Sequence, residues 1–540
     1  MKKKCTLLAL VTAVPLLSWA ASTPKPAMDQ GLLDRLTDAE FNHGQVVQTA
    51  EELADRIGGR MTNSPAMRHA EAWSLQKFKD AGLENVHREG FEFGRGWWIE
   101  SSQVRMVEPR PLELRAIPIA WTPPTNGVLK APIVVAPIKH EKDLAAWTGK
   151  LKGKIVLVSW PAPPEDDSKA PFERLSDADL QKLNEYEQPM YDPEAQQRFA
   201  ERFLLATQID RFLAGEGAVA WVRMSRGGNH LVHGEGYGYQ RGQTPQLPAI
   251  DLAAEDYRRL TRLAKTGEVQ LEIDSSVHYD DTDVNAYNVL AEIPGRDAGG
   301  GYVMAGAHLD SWVAGDGAAD NGAGAAVILE TARLLASLHV QPKRTLRFVL
   351  WAGEEQGLLG SAAYVEKHLA HRPPSSDPLL APLGPYFSWN GYPIQMLPEA
   401  ASLAAYFNLD NGSGKVRGIY TEGNTAVVPI FHEWLAPLAS MGAATVVSKP
   451  TGGTDHVLME RLGLPAFQFI QDPLDYESRV HHTDIDTFDH LRPQDLRQAV
   501  VVMATLMMDA ANAESPLPRK PVPTQPELTD PFQYPDPAQH

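Results

Sequence analysis

The sequence predicts an α/β fold, a three-layer sandwich around a central, mostly parallel sheet, with a second, strand-rich domain inserted into the chain. Two observations carry this prediction. Over residues 285–515, short apolar runs typical of strands alternate with helical patterns, which is typical of a parallel sheet covered by helices. Over residues 115–280, short apolar runs are separated by proline, glycine and acidic turns, which indicates a compact domain rich in strands.

The first residues have the pattern of a cleaved export signal. Lysines at positions 2–4 precede an apolar stretch over residues 7–17, and small residues follow up to Ala21. A membrane anchor needs roughly 20 apolar residues, whereas this stretch is shorter and is interrupted by Pro15. We therefore predict a signal peptide over residues 1–21 and a secreted or periplasmic protein.

Composition limits both the chemistry and the partners. The only cysteine among 540 residues, Cys5, lies within the predicted signal, so a metal in the mature chain is expected to have imidazole and carboxylate ligands. The formal net charge of −18 argues against nucleic acid as a partner, because such binding needs clustered Lys and Arg. No apolar run after the signal could span a bilayer, so we expect no stable membrane insertion.

The remaining chain divides into three parts. Residues 30–114 contain helical patterns and are expected to join residues 285–515 in one discontinuous domain. Residues 115–280 form the insert. Residues 516–540 are rich in proline and are expected to form an extended or disordered tail. The sequence leaves the oligomeric state open, including a homodimer.

Side chains able to bind metal lie where the predicted strands end or where a helix begins. They are His308 and Asp310 after the strand Tyr302–Ala307, Asp320 at a helix start, Glu354 and Glu355 after Thr345–Trp351, Asp410 after Ala405–Leu409, and His481 and His482 in a late loop. Ligands bind at the carboxyl ends of strands in open α/β sheets, so we expect these side chains to lie together. Buried carboxylates repel one another, and cations are their natural counter-charge. Imidazole and carboxylate without sulfur favour zinc, with cobalt or manganese as substitutes.

Each of these residues also has an ordinary structural interpretation. A single surface carboxylate is usually a solvated charge, and Asp320 alone would make a good helix N-cap. Their shared position at one rim of the sheet favours the metal site. Alternate positions on an extended segment share a face, so we expect Asp310 to reach either the ring of His308 or the metal beside it. A carboxylate on the far nitrogen is the usual way to hold a metal-bound imidazole. Adjacent glutamates point in different directions, so one of Glu354 and Glu355 can bind metal while the other faces the substrate.

The motifs around these residues resemble a known family. They read GGRMTNSPA from Gly58, AYNVLAEIPG from Ala286, GAHLDSW from Gly306, GDGAADNGAGAAVILE from Gly315, WAGEEQGLLGSAAYV from Trp351, FNLDNGSG from Phe407, GGTDH from Gly452 and HHTDIDT from His481. In this order they closely resemble the double-zinc metallopeptidases that include bacterial aminopeptidases, glutamate carboxypeptidase and carboxypeptidase Q. The carboxypeptidase Q branch is nearest in layout. The insert resembles, more loosely, the protease-associated domain of many members.

The resemblance implies two zinc ions per chain. In that arrangement Asp320 bridges the ions, Glu355 and His482 complete one of them, and His308 and Asp410 complete the other. Glu354 and Asp310 are the candidate catalytic residues. Glu354 is implied to be the general base that takes a proton from the bridging water and passes it to the leaving amine. The metals make a hydroxide available near neutral pH and polarise the scissile carbonyl.

Three positions near the site leave alternatives open. His482 is favoured over His481 as the ligand because it precedes Thr483 in the pattern H-T-x-x-D-T. The family usually has Ser-Asp where this chain has Thr454–Asp455, which puts the contacts there in doubt. His456 is either a hydrogen-bonding group on the substrate side or a structural residue.

The implied function is that of an exported zinc exopeptidase acting on short peptides, expected chiefly as an aminopeptidase. The alternatives are a dipeptidase or carboxypeptidase of the carboxypeptidase Q type, and a receptor-like binding protein that has lost catalysis. The latter would have lost a ligand or Glu354, and neither is missing. An aminopeptidase needs acidic groups for the substrate's amino terminus, whereas the other peptidases need a cation, such as Arg479, for its carboxylate. A serine hydrolase is disfavoured because no G-x-S-x-G occurs.

A long stretch between the predicted helix near 361–369 and the strand before Asp410 departs from the pattern of a compact domain. Residues 371–400, here called the cover segment, contain seven prolines and four aromatic residues, namely Tyr386, Phe387, Trp389 and Tyr392. Proline excludes regular helix, and loops this long are usually functional or disordered. Our hypothesis is an ordered cover whose aromatic residues line the substrate cleft, because disordered segments are usually poor in aromatics.

Overall fold

The computed structural model describes residues 30–525, with the exception of residues 165–169, 187–194, 237–241, 243, 382 and 390. The predicted signal peptide, residues 1–21, lies outside the described residues, as does the tail from residue 526 onward. Within the described part of the chain, no helix combines the length and the apolar character needed to cross a bilayer.

In the described residues, the regular structure consists of two eight-stranded sheets, one two-stranded sheet and twelve α-helices, together with short 3₁₀ and π turns. The strands are β1 (Glu84–Glu92), β2 (Gly96–Glu108), β3 (Leu112–Glu113), β4 (Ala116–Pro118), β5 (Leu129–Val135), β6 (Ile155–Leu157), β7 (Ala220–Met224), β8 (Ala249–Leu252), β9 (Gln270–Asp280), β10 (Asn285–Ile293), β11 (Tyr302–His308), β12 (Thr345–Trp351), β13 (Ala370–His371), β14 (Gln395–Met396), β15 (Leu403–Asn408), β16 (Val416–Tyr420), β17 (Thr445–Val447) and β18 (Ala466–Gln471). The helices are α1 (Gln30–His43), α2 (Val46–Glu51), α3 (Pro65–Asp80), α4 (Asp177–Lys182), α5 (Ala195–Gly215), α6 (Ala254–Leu263), α7 (Ala323–Ser337), α8 (Leu359–Tyr364), α9 (Pro385–Ser388), α10 (Val428–Leu435), α11 (Val457–Glu460) and α12 (Pro493–Asn512).

The first sheet has a parallel centre and antiparallel edges, in the order β1-β10-β12-β11-β15-β18-β16-β17. Strands β12, β11, β15 and β18 run parallel to their neighbours within this group, whereas β10 pairs antiparallel with β1 and β12. Every residue of β11 and β15 is buried, as expected for central strands covered on both faces. The predicted fold class, an α/β sandwich with a mostly parallel sheet, is confirmed.

Side chains on alternate positions of the central strands divide between two cores. On one face, Val303 and Ala305 pack in the core that contains α7 and α12. On the other face, Met304 and Trp351 pack with residues of α8 and α11. Helix α7 is rich in Ala and Leu, which are good helix formers, and is buried along most of its length. The sheet is therefore the middle of three layers.

The second sheet, in the order β3-β2-β9-β5-β6-β7-β8-β4, belongs to the insert. It begins earlier in the chain than the predicted boundary at residue 115, because β2 pairs with β9 from Gly96 opposite Asp280 to Glu108 opposite Gln270. Helices α6 and α5 contribute to two different cores of the insert, and the strands β6 and β7 contribute alternate residues to each. The second sheet thus has a helix on each face. Its likeness to a protease-associated domain stays a prediction.

Both ends of the cover segment are joined by a short antiparallel pair, in which Ala370 lies opposite Met396 and His371 opposite Gln395. Between them the segment forms α9 and irregular turns. After α12 the described part of the tail is irregular and lies against the domain that contains the first sheet, where Leu517 N–H donates to Ala404 O and Lys520 N–H to Gly463 O. Residues 516–523 therefore have no regular secondary structure, and some of them contact the protein through backbone hydrogen bonds.

Candidate metal centre

The candidate ligands meet at one edge of the first sheet. His308 is the last residue of β11, Asp410 follows β15 by two residues, and Glu355 follows β12. Because these three strands are parallel neighbours, their carboxyl ends lie side by side. Asp320 lies in the turn that precedes α7, and His482 lies in the loop between β18 and α12. The fold thus brings together side chains that are far apart in the chain.

Asp320 lies between two imidazoles. Its Oδ1 is 3.2 Å from His308 Nε2, and its Oδ2 is 3.1 Å from His482 Nε2. Asp410 Oδ1 lies 3.3 Å from His308 Nε2, and Glu355 Oε2 lies 3.0 Å from His482 Nε2. Atoms that share a tetrahedral zinc ion at about 2.0–2.1 Å lie roughly 3.3 Å apart. His308, Asp320 and Asp410 therefore form one group of ligand atoms with spacing suited to zinc. Asp320 and His482 belong to a second group, which also contains His481, and Glu355 lies beside His482.

Unsatisfied buried oxygens also fit a cation here. Asp320 Oδ2 and Glu355 Oε1 are buried and accept no hydrogen bond. A buried polar atom without a partner costs about 1–3 kcal/mol, and more when charged. A divalent cation beside these oxygens would supply both the missing partner and the opposite charge.

The two adjacent histidines differ in their distances from the carboxylates. His481 Nε2 lies 3.6 Å from Asp320 Oδ2 and its side chain is 34% exposed, whereas that of His482 is 10% exposed. His482 is also the one in contact with Glu355. Both histidines lie close enough to Asp320 to form a metal-binding group, and the shorter contacts favour His482.

Asp310 holds the strand ends in place. Its backbone carbonyl accepts a hydrogen bond from His308 Nδ1 at 2.9 Å, while its carboxylate is 3.8 Å from that nitrogen. The carboxylate instead accepts the backbone N–H groups of Glu354 and Glu355 at 3.2 and 3.3 Å, and the Thr62 hydroxyl. Asp310 is fully buried, so its contacts are those of a positioning residue for His308 and for both glutamates.

Electrostatics in the cluster oppose ionisation of the glutamates. Burial raises the pKa of Glu355 to about 7 and that of Glu354 well above its usual range. Burial also raises the pKa of Asp320, but the close contacts and charges of the His308 and His482 imidazoles outweigh it and hold this pKa well below its usual range. Asp320 is therefore the carboxylate that stays ionised most readily between the imidazoles.

A buried arginine organises the loop before Asp320. Arg60 donates to the carbonyls of Leu309, Asp316 and Gly317 at 2.7 Å each. At the same turn, Asp486 accepts the backbone N–H groups of Ala319 and Asp320 at 2.6 and 3.0 Å. Arg60 lies in the motif GGRMTNSPA, which pointed to the family but not to this role.

The residues behind the site resolve two open positions. The Thr454 hydroxyl accepts a hydrogen bond from Asn408 Nδ2 at 3.1 Å, and Asp455 accepts one from the Ser361 hydroxyl. His456 is fully buried, with Nε2 at 3.0 Å from Thr451 Oγ1 and 3.3 Å from Glu422 Oε1. It does not line the cavity described below, which favours its structural interpretation.

A cavity of about 940 Å³ adjoins the cluster and extends between the two domains. Asp320, Glu354, Glu355, Asp410 and His482 line one side, and residues of α5 and β7 line the other. Tyr386 and Phe387 of the cover segment also line it, whereas Trp389 and Tyr392 instead lie over the Arg372 guanidinium. Arg479 is exposed and is not part of the lining, while Arg226 of the insert is.

Sequence reasoning missed one contact to the cluster. Glu235 of the insert places Oε1 2.8 Å from His482 Nδ1. No local motif surrounds Glu235, and it is 247 positions from His482, so nothing in the sequence indicated this contact.

Comparisons with known proteins agree with the geometry. Residues 288–507, which contain every candidate ligand, match peptidase family M28. Carboxypeptidase Q of Bos taurus is 28% identical over 473 residues, 86% of this chain and 85% of that protein. The crystal structure of a peptidase M28 precursor from Shewanella amazonensis SB2B is 25% identical, with a TM-score of 0.64 over 92% of this chain and 98% of that chain. A zinc aminopeptidase from Bacillus subtilis, 19% identical, covers 88% of this chain and 98% of its own with a TM-score of 0.55, which shows the fold alone. The resemblance inferred from the motifs is confirmed.

Proposed function

Because the chain belongs to the metallopeptidases of peptidase family M28, we propose that it is an exported zinc exopeptidase that hydrolyses short peptides, chiefly as an aminopeptidase. The observation that carries the zinc assignment is the position of the Asp320 carboxylate, with one oxygen toward His308 and the other toward His482. Export rests on the pattern of residues 1–21.

We assign two zinc ions per chain, with Asp320 as the shared ligand. His308 and Asp410 hold one ion, and Glu355 and His482 hold the other. The distances within each group and the unsatisfied buried oxygens support this assignment. Bound zinc supplies a hydroxide near neutral pH and polarises the scissile carbonyl.

Glu354 is the proposed general base. Its side chain lines the cavity and is 8% exposed, and its backbone is held by Asp310 next to that of Glu355. Burial raises its pKa, which suits a carboxylate that must take a proton from water and later give it to the leaving amine. In this scheme Asp310 acts through the groups it positions.

The walls of the cavity support short substrates. The cover segment approaches the insert at Phe387, whose ring lies 4.7 Å from the ring of Phe199. A cleft bounded by two domains and this segment has room for a few residues of extended peptide and excludes folded protein. Glu477, which lines the cavity beside His481, offers a carboxylate for the amino terminus of the substrate.

A second candidate, a dipeptidase or carboxypeptidase, is favoured by Arg226. Its Nη2 lies 3.5 Å from His482 Nδ1, and the side chain is half exposed in the cavity. A guanidinium suits a carboxylate, and in a dipeptide the terminal carboxylate lies one residue beyond the scissile bond. The relative from Bos taurus is named a carboxypeptidase.

One experiment tests the zinc assignment and the specificity together. Elemental analysis of purified active protein should give about two zinc ions per chain, and a chelator should abolish peptide hydrolysis until zinc is added back. The protein is then assayed on amino-acid amides, free dipeptides, and peptides blocked at either end. Hydrolysis that requires a free amino terminus supports the aminopeptidase, and a requirement for a free carboxylate supports the second candidate. Active protein without any transition metal would refute the proposal.

A further inference from the structure

We propose that Glu235 of the insert is a positioning residue for the metal ligand His482, so that the insert is a working part of one of the two zinc sites. This inference rests on the proposed function, because it concerns the zinc that His482 is proposed to hold. It goes further by giving the insert a role in metal binding that its position in the sequence does not suggest.

The contact is short and well buried. Glu235 Oε1 lies 2.8 Å from His482 Nδ1, and the Glu235 side chain is 4% exposed. The other carboxylate oxygen accepts a hydrogen bond from Arg226 Nη1 at 2.7 Å. The buried carboxylate of Glu235 thus lies between the Arg226 guanidinium and the far side of the His482 imidazole.

Each of the two proposed imidazole ligands has a hydrogen-bond acceptor next to its Nδ1 atom. An imidazole that binds metal through Nε2 carries its proton on Nδ1 and needs an acceptor there. For His308 the acceptor is the backbone carbonyl of Asp310 in the same domain. For His482 it is a carboxylate from the other domain. A charged acceptor fixes the ring and increases its basicity more than a carbonyl does.

The loop that carries His482 is also attached to the insert next to Glu235. Asp484 Oδ1 accepts the Val232 N–H at 3.0 Å, and Asp484 N–H donates to Val232 O at 3.1 Å. Arg115 of the insert donates its Nε–H to Asp484 Oδ2 at 2.9 Å. These bonds hold residues 232–235 against the His482 loop. They therefore keep Glu235 beside the His482 ring.

The test measures zinc affinity, which does not depend on turnover. Purified wild type, Glu235→Ala and Glu235→Gln are titrated with zinc against a chromophoric chelator that resolves two classes of site. We expect Glu235→Ala to weaken one of the two sites by roughly 10- to 100-fold, the usual scale for the loss of an outer partner. Glu235→Gln keeps an acceptor of the same length and should restore most of the affinity.

Three controls separate positioning from other effects. Asp210→Ala removes another buried carboxylate of the insert that lines the cavity. Among the described residues, its hydrogen bonds are to groups of the insert, so this variant should leave both zinc affinities within about twofold. Comparing Arg226→Ala with the double variant Glu235→Ala/Arg226→Ala shows how much of the loss of zinc affinity comes from leaving the Arg226 guanidinium without the Glu235 carboxylate. In a His482→Ala background, Glu235→Ala should cause no further loss, since coupled residues are not additive.

The outcomes are distinct. Wild type that binds no zinc refutes the proposed function, whereas wild type with two sites and unchanged affinities in Glu235→Ala overturns only this inference. Equal weakening of both sites, or the same loss in the His482→Ala background, also overturns it. If Glu235→Ala does not fold, Glu235→Asp takes its place. This side chain keeps the charge but is one methylene shorter, and it should weaken one site more than Glu235→Gln does; the reverse order overturns the inference.

Discussion

Phe387 allows a direct test of whether the cover segment limits the size of the substrate. The centroid of its ring lies 4.7 Å from that of Phe199 and 5.6 Å from that of Phe203. Both partner rings belong to α5 of the insert, and all three residues line the cavity. Replacing Phe387 with Ala removes these contacts between the cover segment and the insert and leaves the metal cluster untouched.

The magnitude follows from the two aromatic pairs. Each pair contributes about 0.5–1.5 kcal/mol beyond the area it buries, so the two together add about 1–3 kcal/mol to the packing of the cover segment against α5, which also includes Leu380 and Leu383 beside Ala200. This corresponds to a change of roughly 5- to 150-fold in the equilibrium between the contact and a separated arrangement. If contact excludes longer peptides, the preference for short peptides should fall by up to the same factor.

The assay compares kcat/KM for a dipeptide and for a ten-residue peptide with the same first two residues. Phe387→Ala should lower the ratio of the two values while zinc content stays at the wild-type level. Trp389→Ala is the matched control, because the Trp389 ring lies over the Arg372 guanidinium at 4.4 Å and does not line the cavity. An unchanged ratio in Phe387→Ala, or an equal fall in both variants, would show that the cover segment does not select by length.

The remaining predictions separate chemistry, metal binding and stability. Glu354→Gln should keep both zinc ions and lower kcat by roughly 100-fold or more, whereas Glu355→Gln should weaken one zinc site; equal zinc loss in both would reverse the assignment of base and ligand. His368 lies between Glu399 and Glu89, each at 2.9 Å, and its hydrogen bonds to them raise its pKa to about 9. This value is above the unfolded pKa of about 6.5. The contacts of protonated His368 with the two glutamates therefore stabilise the fold fully below pH 6.5, and this stabilisation is lost as the pH rises through 9. His368→Gln should therefore lower the free energy of unfolding by up to about 3 kcal/mol at pH 6 and by much less at pH 10 in urea titrations; a difference independent of pH would refute the charge pairing.

The sequence predicted the catalytic sheet well because the signals there are local. The strand ends at His308 and Asp410 and the glutamates after Trp351 follow apolar runs, and the three predicted strands are present with ends that differ by at most two residues. One topological rule, that parallel neighbours end at the same edge, was then enough to bring the candidate ligands together. The choice of His482 over His481 came from the family motif, and the contact distances favour it.

The start of the insert was harder to predict because its evidence is not local. The composition of strand β2 does not differ clearly from that of the residues before it, which belong to the first domain. Its pairing with β9 is what assigns it to the second sheet. The residues opposite each other in this pair, such as Gly96 and Asp280, are separated by most of the insert. Apolar periodicity marks a strand but does not identify its partner. The sequence therefore predicts the start of the insert at residue 115, where the composition changes.

The metal centre illustrates the same limit at the level of single hydrogen bonds. His308 receives its Nδ1 acceptor from the backbone carbonyl of Asp310, two positions later on the same strand end, whereas the sequence indicates the Asp310 carboxylate, which lies 3.8 Å away. His482 receives its acceptor from Glu235, which belongs to another domain and lies in no recognisable motif. Any displacement of the insert therefore separates His482 from its acceptor while leaving His308 and Asp310 as they are. The two proposed zinc sites should then differ in how strongly they depend on the insert, and the site that contains His482 and Glu355 is the one that loosens first.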